Sequence, residues 1–188
     1  CRTGSFMMFK DQVAIVTGGG QGIGRAICTA FANEGATVVV ADIDLAQAQE
    51  TVHTLEASEW TALAVQTDVS CAAALEALVQ TVLARFNRID ILVNNAGVTR
   101  DQLLLRMSDD DWDTVLNVDL KSAFLCTRTV VRHMLKQRSG RIISIASIVG
   151  IVGNPGQANY AAAKAGIIGL TRSIAKEDRK STRLTSSH

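Results

Sequence analysis

A run of five mostly β-branched residues, Val13-Ala-Ile-Val-Thr17, passes without a spacer into Gly18-Gly-Gly-Gln-Gly-Ile-Gly24 and then into a segment of helical period. That junction restricts the chain more than any other stretch. A short apolar run with no polar alternation suits a strand buried on both faces of a parallel sheet. Beyond the glycines, Ile23, Ala26, Ile27, Ala30 and Phe31 share one face and Gly35 ends the period, so a helix is expected over Arg25–Glu34. Strand, glycine turn and helix open a β-α-β unit.

Glycines let the backbone approach an anion closely, while a helix N-terminus offers unpaired N–H groups and a favourable dipole. The spacing Gly18-x3-Gly22-x-Gly24, with Gln21 and Ile23 between the glycines, therefore fits a dinucleotide's pyrophosphate. A tight structural turn is the competing explanation. The next strand, Thr37–Ala41, ends on Asp42, where a carboxylate can accept hydrogen bonds from both ribose hydroxyls. Such an acid repels a 2′-phosphate and Gln21 adds no cation, so NAD(H) is favoured and NADP(H) is left open. A helix N-cap is the other role open to Asp42, although Asp44 serves it equally well.

Leu45–Ala57 reads as an exposed helix, and Thr61–Thr67 as a third strand that runs into Asp68 and Val69. In this architecture that pair sits beside the adenine. Ser70 is expected to cap the helix Ala72–Phe86, and Arg88-Ile89-Asp90 turns the chain into a fourth strand, Ile91–Val93. Asn94-Asn95-Ala96-Gly97 follows, a polar and small sequence suited either to a ligand's close approach or to a turn held by Asn amides. Ser108–Gln137 is one long helical pattern with a Ser-Asp-Asp-Asp cap, and a fifth strand is expected from Gly140 to Ser147. Five alternations without a hairpin signal predict an α/β fold with a doubly wound parallel sheet and ligands at the strands' carboxyl ends.

Thirteen positions after Ser147 stands Tyr160, and four further on Lys164, with only Ala161–Ala163 between them. On a helix that spacing puts phenol and ammonium on one face. Tyrosines titrate near 10 and exchange protons poorly at neutral pH, but a fixed cation stabilises a phenolate. Tyr followed by Lys at this spacing also arises by chance on exposed helices; the glycine turn and Ser147 together weigh against that here.

With 47% hydrophobic residues in 188 and a formal net charge of +1, nothing basic enough for nucleic acid stands out, and no apolar run is long enough for a membrane helix. Cys1, Cys28, Cys71 and Cys126 lack metal-site or disulfide spacing, so no metal is expected and the cytoplasm is the simplest compartment. Residues 1–6 and 178–188 do not continue the pattern and are expected to be non-native tails, the last eleven similar to translated sequencing adapter. The expectation is therefore a single domain over 7–177, with the fold incomplete at its C-terminal side.

Thr17-Gly-Gly-Gly-Gln-Gly-Ile-Gly24, Asn94–Gly97, Ser147 and Tyr160-x3-Lys164 together resemble the short-chain dehydrogenase/reductases. Arg100–Met107 and Gly153–Gly166 are most similar to the 3-oxoacyl-acyl-carrier-protein reductases within that family. The resemblance implies a Rossmann fold in which Tyr160 gives a proton to a carbonyl oxygen that Ser147 orients. Lys164 then binds the nicotinamide ribose and tunes Tyr160. Gly18, Gly22, Ile23 and Gly24 hold the pyrophosphate side, and Asn95, Ala96 and Gly97 border the inner ribose. It further implies a thioester carbonyl substrate, acyl carrier protein as a partner and a homo-tetramer. NAD-dependent alcohol or sugar dehydrogenases, and a non-catalytic nucleotide-binding relative, are the alternatives. Two features depart from the pattern: Asp42 runs against the NADPH preference usual among the close relatives in fatty-acid synthesis, and Asp119 stands where the family usually has an Asn that bends the long helix and holds a relay water. Its carboxylate either still holds that water or weakens the relay.

Overall fold

The computed structural model describes residues 7–184, the last seven of these by backbone alone; the expected tail at residues 1–6 and the end of the other lie outside them. Strands β1 (Val13–Thr17), β2 (Thr37–Asp42), β3 (Ala62–Gln66), β4 (Ile91–Asn94) and β5 (Arg141–Ser144) form one sheet in the order β3-β2-β1-β4-β5. β1 pairs in parallel with both β2 and β4, so Ile15 lies between Val39 and Leu92, and β2 pairs in parallel with β3. Helices α1 (Gly22–Asn33), α2 (Leu45–Glu56) and α3 (Ala72–Phe86) join these strands. Every residue of β1 and β4 is buried. Having no wet face, these strands show continuous apolar runs, and each large side chain they bury contributes about 1.5–3 kcal/mol.

The described residues form two compact units, one reaching to Gly97 and taking in Leu125–Ile143, the other Val98–Phe124 with the described residues from Ser144 on. In the first, Asp90 does more than turn the chain. Its buried carboxylate accepts the Val13 N–H at 2.9 Å and takes two bonds from Arg88, at 2.7 and 2.8 Å, which fixes the start of β1. Burial pushes the Cys28 and Cys126 thiols up to about 12, so both act as small apolar side chains rather than nucleophiles. Among the described residues no helix is long and apolar enough to cross a membrane.

Three local expectations change. The long pattern 108–137 is interrupted: α4 (Asp109–Val115) leads into a π-helical turn, Leu116–Lys121, before α5 (Ser122–Gln137). Hydrophobic period reports which face is buried, and it continues through a one-residue widening of the turn. Next, β5 ends at Ser144, three residues before Ser147, and a short helix α6 (Val149–Val152) precedes α7 (Ala158–Leu184). Finally, Cys71 rather than Ser70 is the N-cap of α3, because the Ser70 hydroxyl is taken by Asp68 at 2.7 Å. Ser108 does cap α4, in a reciprocal box with Asp111 whose hydrogen bonds hold the Asp111 carboxyl below its ordinary range.

Candidate active site

In the first unit, the carboxyl ends of parallel β1, β2, β3 and β4 bring the glycine turn, Asp42, Asp68 and Asn95 to one edge of the sheet. The turn is built by close approach. A Cβ on Gly24 would lie 1.9 Å from the Gly18 carbonyl oxygen, so α1 can start where it does only without a side chain there. Gly18 and Gly22 have φ of +63° and +52°, which L side chains rarely adopt, and the space beside Gly22 is open. Gln21 is the N-cap of α1 yet makes no side-chain cap bond, and no acid occupies the first turn. These N–H groups are therefore ready for an anion.

Asn95 braces that turn. Its Nδ2 donates to the carbonyls of Thr17, at 2.9 Å, and Gly18, at 3.1 Å. Thr17, quoted in the motif but given no role by the sequence, is buried: its Oγ1 accepts the N–H groups of Asn95 and Ala96 and donates to the Val93 carbonyl. Of the two explanations for Asn95, the turn-holding one is thus visible. Asp42 accepts the N–H groups of Gly20, at 2.9 Å, and Asp44, at 3.1 Å, while Asp44 alone caps α2. The nearby guanidinium of Arg25 is engaged by the Gly20 carbonyl, Thr51 and Glu50, so it is spent within the fold. Asp68 is exposed and Val69 buried, and Ala96 and Gly97 follow Asn95 at the same edge.

Replacing Gly24 by alanine is expected to force the turn and helix apart. Overpacking costs about 1–3 kcal/mol, and on the expectation that this turn receives the pyrophosphate, dinucleotide affinity should drop roughly tenfold or more. A fluorescence titration with NADH and a thermal melt would read both; unchanged affinity in a folded variant would mean the turn is not the cradle.

The second unit holds Ser147, Tyr160, Lys164 and Asp119. Tyr160 and Lys164 lie one turn apart on α7, and the Lys164 Nζ stands 5.4 Å from the centre of the Tyr160 ring. Lys164 is buried to 4% exposure; its ammonium donates to the Ile145 carbonyl at 3.1 Å and lies 3.3 Å from Asp119 Oδ2. Asp119 itself is 1% exposed, and its Oδ1 accepts the Val98 N–H at 2.8 Å. Burial pushes its carboxyl up from the ordinary range, opposed by the Val98 N–H and Lys164. The Ser147 Oγ accepts the Val149 N–H at 3.2 Å, which leaves its hydroxyl proton to donate elsewhere.

Two further residues position this set and had no role in the sequence reading. Asn159, wholly buried, donates to the carbonyls of Arg100 and Asp111 and accepts the Tyr160 N–H, tying the start of α7 to two other segments. Its place beside Tyr160 was the only signal. Gly150 lets α6 touch α7: a Cβ there would lie 2.7 Å from the Ala165 nitrogen and the Lys164 carbonyl carbon. The Ala run also has a packing role, since Ala163 is fully buried.

A parallel sheet with a glycine turn at its carboxyl edge is the architecture of an oxidoreductase that works with a nicotinamide dinucleotide. The chain belongs to the short-chain dehydrogenase/reductase family: the family described as short chain dehydrogenase matches residues 12–183. A 3-oxoacyl-[acyl-carrier-protein] reductase of Synechocystis is 52% identical over 167 residues, 88% of this chain and 68% of the relative. Proteins named 3-oxoacyl-[acyl-carrier-protein] reductase FabG from Chlamydia trachomatis and Thermotoga maritima are 49% and 46% identical, covering 90% and 91% of this chain and 69% and 70% of the relatives.

Proposed function

We propose that the protein reduces the keto group of a 3-oxoacyl thioester, carried on acyl carrier protein or coenzyme A, with NAD(H) as the favoured cofactor. The observation that carries the chemistry is the buried Lys164 ammonium facing the ring of Tyr160. An ammonium fixed there stabilises negative charge on the phenol oxygen, so Tyr160 can release a proton to a carbonyl oxygen as that oxygen becomes an alkoxide. Ser147 donates its hydroxyl proton to the same oxygen and orients it. Bound nicotinamide supplies the hydride. On the nucleotide side, Gly18, Gln21, Gly22, Ile23 and Gly24 offer the pyrophosphate cradle. Asp42 offers acceptors for the adenosine ribose, Asp68 and Val69 flank the adenine, and Asn95, Ala96 and Gly97 border the inner ribose. Lys164 also serves that inner ribose.

The thioester substrate and its carrier rest on the names of the relatives, and the cytoplasmic location and homo-tetramer belong to the same reading. The NAD preference rests on the Asp42 carboxylate and on the engagement of Arg25 within the fold. Acetoacetyl-CoA with NADH or NADPH is the test. NADH should be oxidised faster, and Asp42→Ala should narrow the difference. Oxidation of neither cofactor would overturn the reductase reading, and faster use of NADPH would overturn the preference. NAD reduction by simple secondary alcohols or sugars at higher kcat/KM would point to the dehydrogenase alternative.

A further inference from the structure

The glycine turn keeps its own carbonyls out of the way. An anion on the N–H groups that open α1 is repelled by any carbonyl oxygen left beside them, so the turn works as a cradle only if those oxygens are held elsewhere. Asn95 takes the carbonyls of Thr17 and Gly18, and the Cys28 thiol lies 3.9 Å from that of Gly19. The Gly20 carbonyl, the last before the N-cap, draws three donors. Arg25 of α1 gives it Nε at 3.0 Å and Nη2 at 2.7 Å, and the Thr51 hydroxyl of α2 adds a bond at 3.0 Å. Arg25 Nε also donates to the Thr51 oxygen at 3.0 Å, so the two side chains hold each other.

Thr51 is unusual among the helical threonines. Thr29, Thr54, Thr81 and Thr129 each donate to the carbonyl four residues earlier, the ordinary local bond of such a hydroxyl. Thr51, 1% exposed, instead donates to an oxygen 31 positions away. The consequence is directional. In a trans peptide the carbonyl of one residue and the N–H of the next point opposite ways, and among the described residues no peptide bond is cis. A Gly20 carbonyl turned into Arg25 and Thr51 therefore turns the Gln21 N–H away from them, at the N-cap of α1. Asp42 ties the other side of the residue by accepting the Gly20 N–H at 2.9 Å. Glycine is the residue freest to rotate, and this one is tied at both ends.

Resting on the reading of this turn as the pyrophosphate cradle, we propose that Arg25 and Thr51 are positioning residues for the dinucleotide, a latch that holds the Gly20 carbonyl away from the anion and keeps the Gln21 N–H aimed at it. Neither side chain needs to touch the cofactor. Without the latch the Gly20–Gln21 peptide turns over, and binding must first restore it at a cost in affinity.

ADP carries the pyrophosphate and adenosine lacks it, so the two separate loss of the latch from general damage; displacement of bound NADH, followed by its fluorescence, reads both. In Thr51→Val, close to the native shape, the dissociation constant for ADP should rise about tenfold, the scale of one lost hydrogen bond, while that for adenosine stays at its native value. That variant retains the guanidinium, so its loss is not one of charge. Arg25→Met, at a side chain one-third exposed, carries the same expectation and serves alone should Thr51→Val fail to fold. Thr51→Ser keeps the hydroxyl and should bind ADP as the native protein does. Native ADP affinity in either folded variant, or an equal loss for ADP and adenosine, overturns the inference. If Gly24→Ala weakens ADP where these variants do not, the cradle stands and only the latch falls; ADP affinity unmoved in all three removes the cradle and the latch with it.

Discussion

Replacing Tyr160 by phenylalanine should lower kcat by about a thousandfold, within the range expected when a positioned general acid is removed, while NADH still binds. The ring stays in place against the Lys164 ammonium, so packing in that part of α7 is conserved and only the transferable proton is lost. Measuring turnover of acetoacetyl-CoA alongside a fluorescence titration with NADH separates the two effects. Turnover near the native rate in the variant would remove Tyr160 from the reaction. A parallel loss of turnover and cofactor affinity would assign it to binding instead.

Lys164→Met should be the most damaging substitution for the fold of the second unit. It leaves Asp119 buried with its Val98 bond but without a cation, and breaking one side of a buried pair costs about 3–5 kcal/mol. That cost should depend on pH in a defined direction. The Asp119 carboxyl is already pushed up by burial, and losing Lys164 removes one of the influences that oppose the rise. A carboxyl whose value in the folded state exceeds its unfolded value contributes fully to stability below the unfolded value, about 3.9, and loses that contribution as pH rises through the folded one. The gap in urea midpoint between native protein and variant should therefore be widest near pH 8 and shrink toward pH 4. A gap constant across that range would mean that losing Lys164 leaves the titration of Asp119 unchanged, so that the ammonium is not what keeps the carboxylate charged.

Much of the first unit was legible because its determinants are local. The β1 boundaries follow from the run Val13–Thr17, which is apolar because parallel neighbours and helices leave it no wet side, and α3 was bounded by its own period at Ala72 and Phe86. The glycine turn and Asp42 were visible as residue types demanded by close backbone approach and by charge. Asp90 was missed, since its work is to accept the Val13 N–H from 77 positions away, and no local pattern announces such a bond.

The second unit divides differently. Tyr160 and Lys164 were readable from four-residue spacing, because helical geometry turns that spacing into proximity without help from the rest of the chain. Ser147 was readable as a hydroxyl near a strand end, though the strand stops at Ser144 and a further turn carries the serine. The interruption at Leu116–Lys121 had no signature in the hydrophobic pattern, which is indifferent to whether a turn closes after four residues or five. Asp119 accordingly stood out in sequence only as a departure from its relatives' pattern.

What the sequence alone determined is the order of elements, the parallel sheet and the residue types offered to a dinucleotide and to a carbonyl, all consequences of period, propensity and short-range spacing. Only the tertiary structure decided that Asp119 meets Lys164, that Asn95 and Thr17 brace the glycine turn, and that Asn159 and Gly150 set α7 in place. Each of these rests on side chains brought together from distant segments, where the energy of burial and the demand that every sealed polar group find a partner choose the pairings.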